Sequence, residues 1–203
     1  MRVGMIGTGN MATILRDLWQ HAGHEVVYGA RNPGDLTDRS AVTVAQVTAF
    51  SEVIVMAVNY WTIGDALAAM GDATDKQIID ISNPFILKAG ATDKHNPANF
   101  ERAVQAQSTA LLRNIELAPQ ASWIKAFCSL PGKLVNELHH QVPRIAIGYT
   151  ADNDGASAIA AILIDNAGFD PVYVGGAEQA ALIELGGKLS MQPMTQDQMI
   201  ARI

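Results

Sequence analysis

In Gly7-Thr8-Gly9-Asn10-Met11-Ala12 the residue types and their spacing suit one kind of chemistry, the holding of an anion by backbone amides. Gly7 allows a tight turn, and Gly9 removes the side chain that would keep a pyrophosphate off the backbone. Ala12 stands where a third small residue lets a helix lie close on a sheet. Asn10 is expected to cap that helix, whose unpaired N–H groups and positive dipole end would face the phosphates. About 20 residues further on, a site for NAD usually places Asp or Glu against the ribose hydroxyls. Here stand Tyr28, Gly29, Ala30, Arg31 and Asn32. A carboxylate would repel a 2′-phosphate, whereas Arg31 offers it a planar fork of donors. The expected ligand is therefore a dinucleotide, NADP rather than NAD. The alternative for Arg31 is a solvated loop charge, with Asp35 and Asp38 near enough to pair with it or with Arg39.

Such a loop works only if a strand and a helix hold it. Val3-Gly4-Met5-Ile6 reads as a buried strand, and Met11, Ile14, Leu15, Leu18, Trp19 and Ala22 repeat at helical spacing up to Gly23. Val26-Val27-Tyr28 supplies the second strand. Ala41 to Val44 suits a short edge strand and Ala45 to Phe50 a small helix. Val53 to Ala57 is apolar at every position, as expected of a parallel strand covered on both faces. A helix over Thr62 to Met70 and a strand over Gln77 to Ile81 continue the alternation. The pattern predicts a doubly wound α/β (Rossmann) fold with a mostly parallel sheet in three layers.

In such sheets the ligand lies across the carboxyl ends of the strands. Ala57-Val58-Asn59 and Ser82-Asn83-Pro84 should therefore meet the far half of the dinucleotide, the second also being readable as a plain turn. Phe85 to Asn99 has no period and should hang over the cleft. His95 within it is a candidate acid or base, or simply an exposed loop histidine. A helix is expected over Phe100 to Leu117 and a strand over Trp123 to Phe127, ending at Cys128, which reads as an inert buried thiol. Arg144 to Tyr149, a helix closed by Gly168, Pro171 to Val174 and a helix over Glu178 to Ser190, interrupted by Gly186-Gly187, add C-terminal elements to the same domain. The tail from Met191 could pack on the domain edge or on a partner subunit in a homodimer. His139-His140 is a poor metal site, because adjacent side chains diverge.

The 203 residues suffice for one well-filled domain spanning 1–203. A net charge of -6, with no Lys/Arg cluster, argues against a nucleic-acid partner. A single cysteine excludes an internal disulfide and suggests a reducing compartment. With no leader and no apolar run long enough for a bilayer, the expectation is a cytoplasmic protein without a membrane partner.

Over nearly its whole length the chain resembles the coenzyme F420-dependent NADP oxidoreductases, whose carrier is a deazaflavin. The resemblance rests on Gly7 to Ala12, Gly23 to Arg31, Asp80 to Pro84, Lys125-Ala126-Phe127 and Ala167 to Val172, in that order and spacing. It implies that Thr8, Gly9, Asn10 and Met11 contact the pyrophosphate, Arg31 the 2′-phosphate, and that Ala57 and Val58 lie by the nicotinamide. The chain departs from its relatives at Ala30, where many carry a hydroxyl residue, and at Cys128, where Asn is common. The expected cofactor-binding set is Gly7, Thr8, Gly9, Asn10, Met11, Arg31, Asn32, Ala57, Val58, Asn59, Ser82 and Asn83; no catalytic side chain is singled out. The activity implied is hydride transfer between NADPH and a deazaflavin, flavin or similar small redox acceptor. Alternatives are a ferric or flavin reductase of the same fold, and a non-enzymatic NADP(H)-binding redox regulator.

Overall fold

The computed structural model describes residues 1–35, 41–93, 96–104 and 108–203. The chain runs β1 (Arg2–Ile6), α1 (Asn10–His21), β2 (Glu25–Ala30), β3 (Val42–Thr43), α2 (Val44–Phe50), β4 (Val53–Met56), α3 (Ile63–Met70) and β5 (Gln77–Asp80). A ribbon of β6 (Phe85–Leu87) and β7 (Phe100–Arg102) follows. Next come α4 (Ala110–Leu117), β8 (Ser122–Lys125), α5 (Gly132–Leu138), β9 (Ala146–Ala151), α6 (Asp154–Asn166), β10 (Asp170–Gly175) and α7 (Gln196–Ile200). Eight strands form one sheet in the order β10-β9-β8-β5-β4-β1-β2-β3. Pairing is parallel from β3 through to β8; β9 runs antiparallel to β8 and parallel to β10.

β4 shows why its sequence is apolar throughout. Val53 and Val55 point into a core shared with Leu15 and Trp19 of α1 and Leu163 of α6. Ile54 and Met56 point the other way, into a core with Val47 of α2, Leu67 of α3 and Leu111 of α4. Helices therefore cover both faces, giving the three layers expected of an open parallel sheet. The order reverses between β1 and β4, so a crevice opens at their carboxyl ends.

Two helices expected in the second half need correction. Phe100–Arg102 is a strand, paired antiparallel with Phe85–Leu87, and the helix starts only at Ala110. Thr109 sets that start by accepting a hydrogen bond from the Leu112 N–H at 3.0 Å. The segment after β10 is a 3-10 helix over Ala177–Leu182, not an α-helix through Ser190. Gly186 has a φ of 97°, and a Cβ on Gly187 would lie 2.2 Å from the Ala181 carbonyl oxygen, so the chain turns there. The tail packs on the sheet edge: Met194 and Met199 are buried with Ala146, Val172, Val174 and Ile183, and the Ala146 N–H donates to the Met194 carbonyl at 2.7 Å.

Candidate functional site

The β1–α1 loop is built by close backbone approach. Gly7 has a φ of 114°, and a Cβ there would lie 2.2 Å from the Ala57 carbonyl oxygen. Only glycine lets the turn after β1 press against the end of β4. Gly9 differs, because a Cβ on it would meet nothing within 4 Å. No protein atom needs that glycine, and the room it leaves opens on the cleft. Ala12 is buried on the face of α1 that packs against the sheet, as the helix–sheet contact requires.

Asn10 does not cap α1. The N-cap is Gly9, without a side-chain hydrogen bond, and Asn10 is the first helical residue. A Cβ on Gly132 would lie 2.8 Å from Asn10 Nδ2, so the asparagine packs against the start of α5 instead. The first amides of α1 therefore have no side-chain acceptor from the cap position. A helix start left in this state is a ready anion site. Thr43, Thr109, Asn153 and Thr195 each accept a hydrogen bond at the starts of α2, α4, α6 and α7, whereas α3 and α5, like α1, have no side-chain cap.

Gly7, Thr8, Gly9, Asn10, Met11, Arg31, Ala57, Val58, Asn59, Ser82 and Asn83 all line one cleft of about 1040 Å³. Of the expected set only Asn32 lies outside it, exposed beside Arg31. Arg31 is exposed and makes no ion pair or hydrogen bond among the described residues. Asp38, Arg39 and His95 lie outside the described residues. Arg31 follows β2 and Ser82 follows β5, three strand spacings away, which is about 14 Å across the sheet.

The end of the cleft away from Arg31 is aromatic. Tyr60, Trp61, Phe85 and Phe100 line it, and the Trp61 and Phe100 rings sit with centroids 6.0 Å apart and planes at 36°. Burial pushes the Tyr60 phenol above its ordinary pKa. Phe85 and Phe100 come from the β6–β7 ribbon, which the sequence reading took for an aperiodic loop and the start of a helix.

Sequence reasoning also missed what lies behind the floor of this end. Lys125 Nζ sits 2.6 Å from Asp80 Oδ2 and 3.7 Å from Glu184 Oε1, with all three side chains fully buried. Asn114 Nδ2 donates to Asp80 Oδ2 at 2.8 Å, the Ser82 N–H to Asp80 Oδ1 at 2.7 Å, and the Ala110 N–H to Glu184 Oε1 at 2.8 Å. Arg102 closes the group 3.5 Å from Glu184 Oε2. Burial disfavours the Lys125 ammonium, but the neighbouring carboxyl groups more than offset this and its pKa lies above the ordinary lysine value. Burial raises the Glu184 carboxyl, Lys125 opposing it in part. Desolvation pushes the Cys128 thiol up to about 12, in keeping with an inert buried group. The signal was present: Lys125 interrupts the apolar run Trp123 to Phe127, and Asp80 ends another. A charge in a strand buried on both faces must find a partner.

His139 and His140 stack edge to face, centroids 5.3 Å apart, in a second cavity between α1 and α5. Among the described residues no group of three or more His, Cys, Asp or Glu is placed to hold a metal. None of the helices described is long and apolar enough to cross a membrane.

Fold and cleft together define an open doubly wound α/β protein with a glycine turn at its switch point. Residues 2–84 match the family model for NADP oxidoreductases, coenzyme F420-dependent, so the resemblance read from the residues is borne out over that stretch. No curated protein matches the chain by sequence. Among solved structures, a hypothetical protein from Sinorhizobium meliloti is similar with a TM-score of 0.80 at 21% identity, covering 97% of this chain and 96% of that one. A protein from Arthrobacter sp. FB24, provisionally named an F420-dependent NADP-reductase, has a TM-score of 0.73 at 22% identity, covering 89% of this chain and 87% of its own. An imine reductase from Aspergillus terreus, solved with NADPH4 and dibenz[c,e]azepine, has a TM-score of 0.61 at 16% identity. This chain covers 57% of that enzyme's length. At these identities the structures establish a shared fold.

Proposed function

We propose that the cleft binds NADP(H) and that the chain, acting as one domain, is a reductase passing hydride from NADPH to a deazaflavin, flavin or similar planar acceptor. One observation carries the dinucleotide reading. An α1 start without a side-chain cap, room at Gly9 and an Arg31 unpaired among the described residues share one cleft. The pyrophosphate would lie on the α1 amides, the 2′-phosphate at Arg31 with Asn32 beside it, and the nicotinamide toward Ala57, Val58 and Ser82. The family match over residues 2–84 supports the same ligand.

The aromatic end of the cleft supports a planar acceptor. Hydride transfer between two flat rings needs alignment and exclusion of water more than acid-base side chains; the cofactors carry the chemistry. Tyr60, Trp61, Phe85 and Phe100 provide apolar faces for a flat ring, beside the Ser82 and Asn83 wall. Stopped-flow oxidation of bound NADPH by flavin mononucleotide and by a deazaflavin tests this reading. Rapid, saturable oxidation with either, and far slower oxidation of NADH, is the expected result. Tight NADPH binding without oxidation by any acceptor would make the chain a non-enzymatic binder, and failure to bind NADPH would end the proposal.

A further inference from the structure

A buried charge cluster is an expensive thing to keep. Moving two carboxyl groups and an amine out of water costs several kcal/mol per ion, and well-packed apolar residues of similar volume often serve stability equally well. The cluster around Lys125 therefore needs an account beyond stability, and its position supplies one. Asp80 spends one oxygen on Lys125 and Asn114, and the other on the Ser82 N–H. Glu184 accepts from the Ala110 N–H and is followed directly by Leu185. Leu185 in turn donates its N–H to Asn83 Oδ1 at 2.7 Å, while Asn83 Nδ2 donates to the Cys128 carbonyl at 3.0 Å. The cluster thus grips both sides of the wall formed by Ser82, Asn83 and Leu185, all three of which line the cleft.

The two polar side chains of that wall differ. The amide of Asn83 is committed at both ends to other parts of the chain, so it ties the wall together. Ser82 lines the cleft and is 94% buried, and its hydroxyl has no hydrogen-bond partner among the described residues. A buried hydroxyl without a partner is costly and is ordinarily satisfied. A polar group on a ligand would satisfy it.

We infer that Asp80, Lys125 and Glu184 are positioning residues, which hold the Ser82 hydroxyl and the Asn83–Leu185 wall to receive the polar end of the nicotinamide ring. The inference rests on the NADP(H) reading of the cleft and assigns no chemistry to the cluster. Lys125 does not line the cleft and reaches the ligand only through Asp80 and Ser82. Arg102, on the ribbon that carries Phe100, brings the aromatic roof into the same network through Glu184.

The test divides the dinucleotide. 2′,5′-ADP probes the phosphate-loop and Arg31 end, whereas NADPH probes both ends. Lys125→Met alone leaves a buried carboxyl group uncompensated and can unfold the chain. The working variant is therefore Asp80→Asn with Lys125→Met, and Ser82→Ala is the local control. Calorimetric titration of the folded variants should show 2′,5′-ADP affinity unchanged within about twofold, and NADPH affinity weakened about fivefold or more, the effect of one or two lost hydrogen bonds. Parallel loss for both ligands, or no loss for NADPH, overturns the inference. Wild-type protein that binds 2′,5′-ADP but gains nothing from the nicotinamide half overturns it too. Wild-type protein that binds neither refutes the NADP(H) reading itself.

Discussion

Replacing Arg31 with alanine removes an exposed guanidinium that makes no hydrogen bond or ion pair among the described residues. The folded state without ligand should hardly notice, because exposed substitutions away from special contacts usually stay within about 0.5 kcal/mol. The holo state should notice. A hydrogen bond to a charged group contributes about 1.5–3 kcal/mol. Because Arg31 stands exposed at the cleft edge, solvent screening puts the expectation near the lower end, a weakening of NADPH binding by about tenfold to thirtyfold. NADH lacks the 2′-phosphate and should lose less than about twofold. Raising salt should narrow the gap between wild type and variant, since an exposed charge pair is screened. Arg31→Lys should recover part of the loss, keeping the charge without the planar fork. Calorimetric titrations of both cofactors at two ionic strengths give every number needed. Equal losses for NADPH and NADH, or a difference indifferent to salt, would refute the idea that Arg31 reads the extra phosphate.

Gly7→Ala forces a Cβ onto the Ala57 carbonyl and a side chain onto a φ of 114°, and should lower stability by about 2–3 kcal/mol in urea unfolding. Of the three tryptophans, Trp19 and Trp123 are fully buried and Trp61 lines the cleft. NADPH should therefore quench fluorescence through Trp61, and Trp61→Phe should abolish most of that quench; an unchanged quench would place the ligand elsewhere. Cys128 has its thiol raised from 9.0 to about 12, so the folded chain holds that proton more tightly than the unfolded one. Its contribution is full below pH 9 and is lost as pH rises toward about 12, by up to about 4 kcal/mol. Denaturant titrations from pH 8 to 11 on wild type and Cys128→Ala should diverge in that sense, and thiol reagents at pH 8 should label the folded chain only slowly.

Much of the nucleotide half was legible because its signals are local. Gly7 and Gly9 sit between a strand pattern and a helical one, and β4 is apolar at each position because helices cover both its faces. What the sequence withheld depends on contacts distant along the chain. Asp80 and Lys125 are 45 residues apart, and Glu184 stands in a segment whose helical pattern Gly186 and Gly187 interrupt. The ribbon of Phe85–Leu87 and Phe100–Arg102 is too short for a period to show, and its pairing spans the intervening loop. Thr109 was a local signal overlooked, a cap residue that starts α4 well after Phe100. Asn10 is a local signal that points the wrong way: asparagine favours caps, but here Gly9 occupies the N-cap position and Asn10 is already helical.

The reversal of β9 against β8 gives the molecule a front and a back. α6 leaves β9 at the rim opposite the glycine turn, and there the Ala156 N–H donates to the side-chain Oδ1 of Asn153. At that rim the helix start is thus already occupied by its own polypeptide. A passing phosphate finds a rival already seated at α6, and an open doorway at α1.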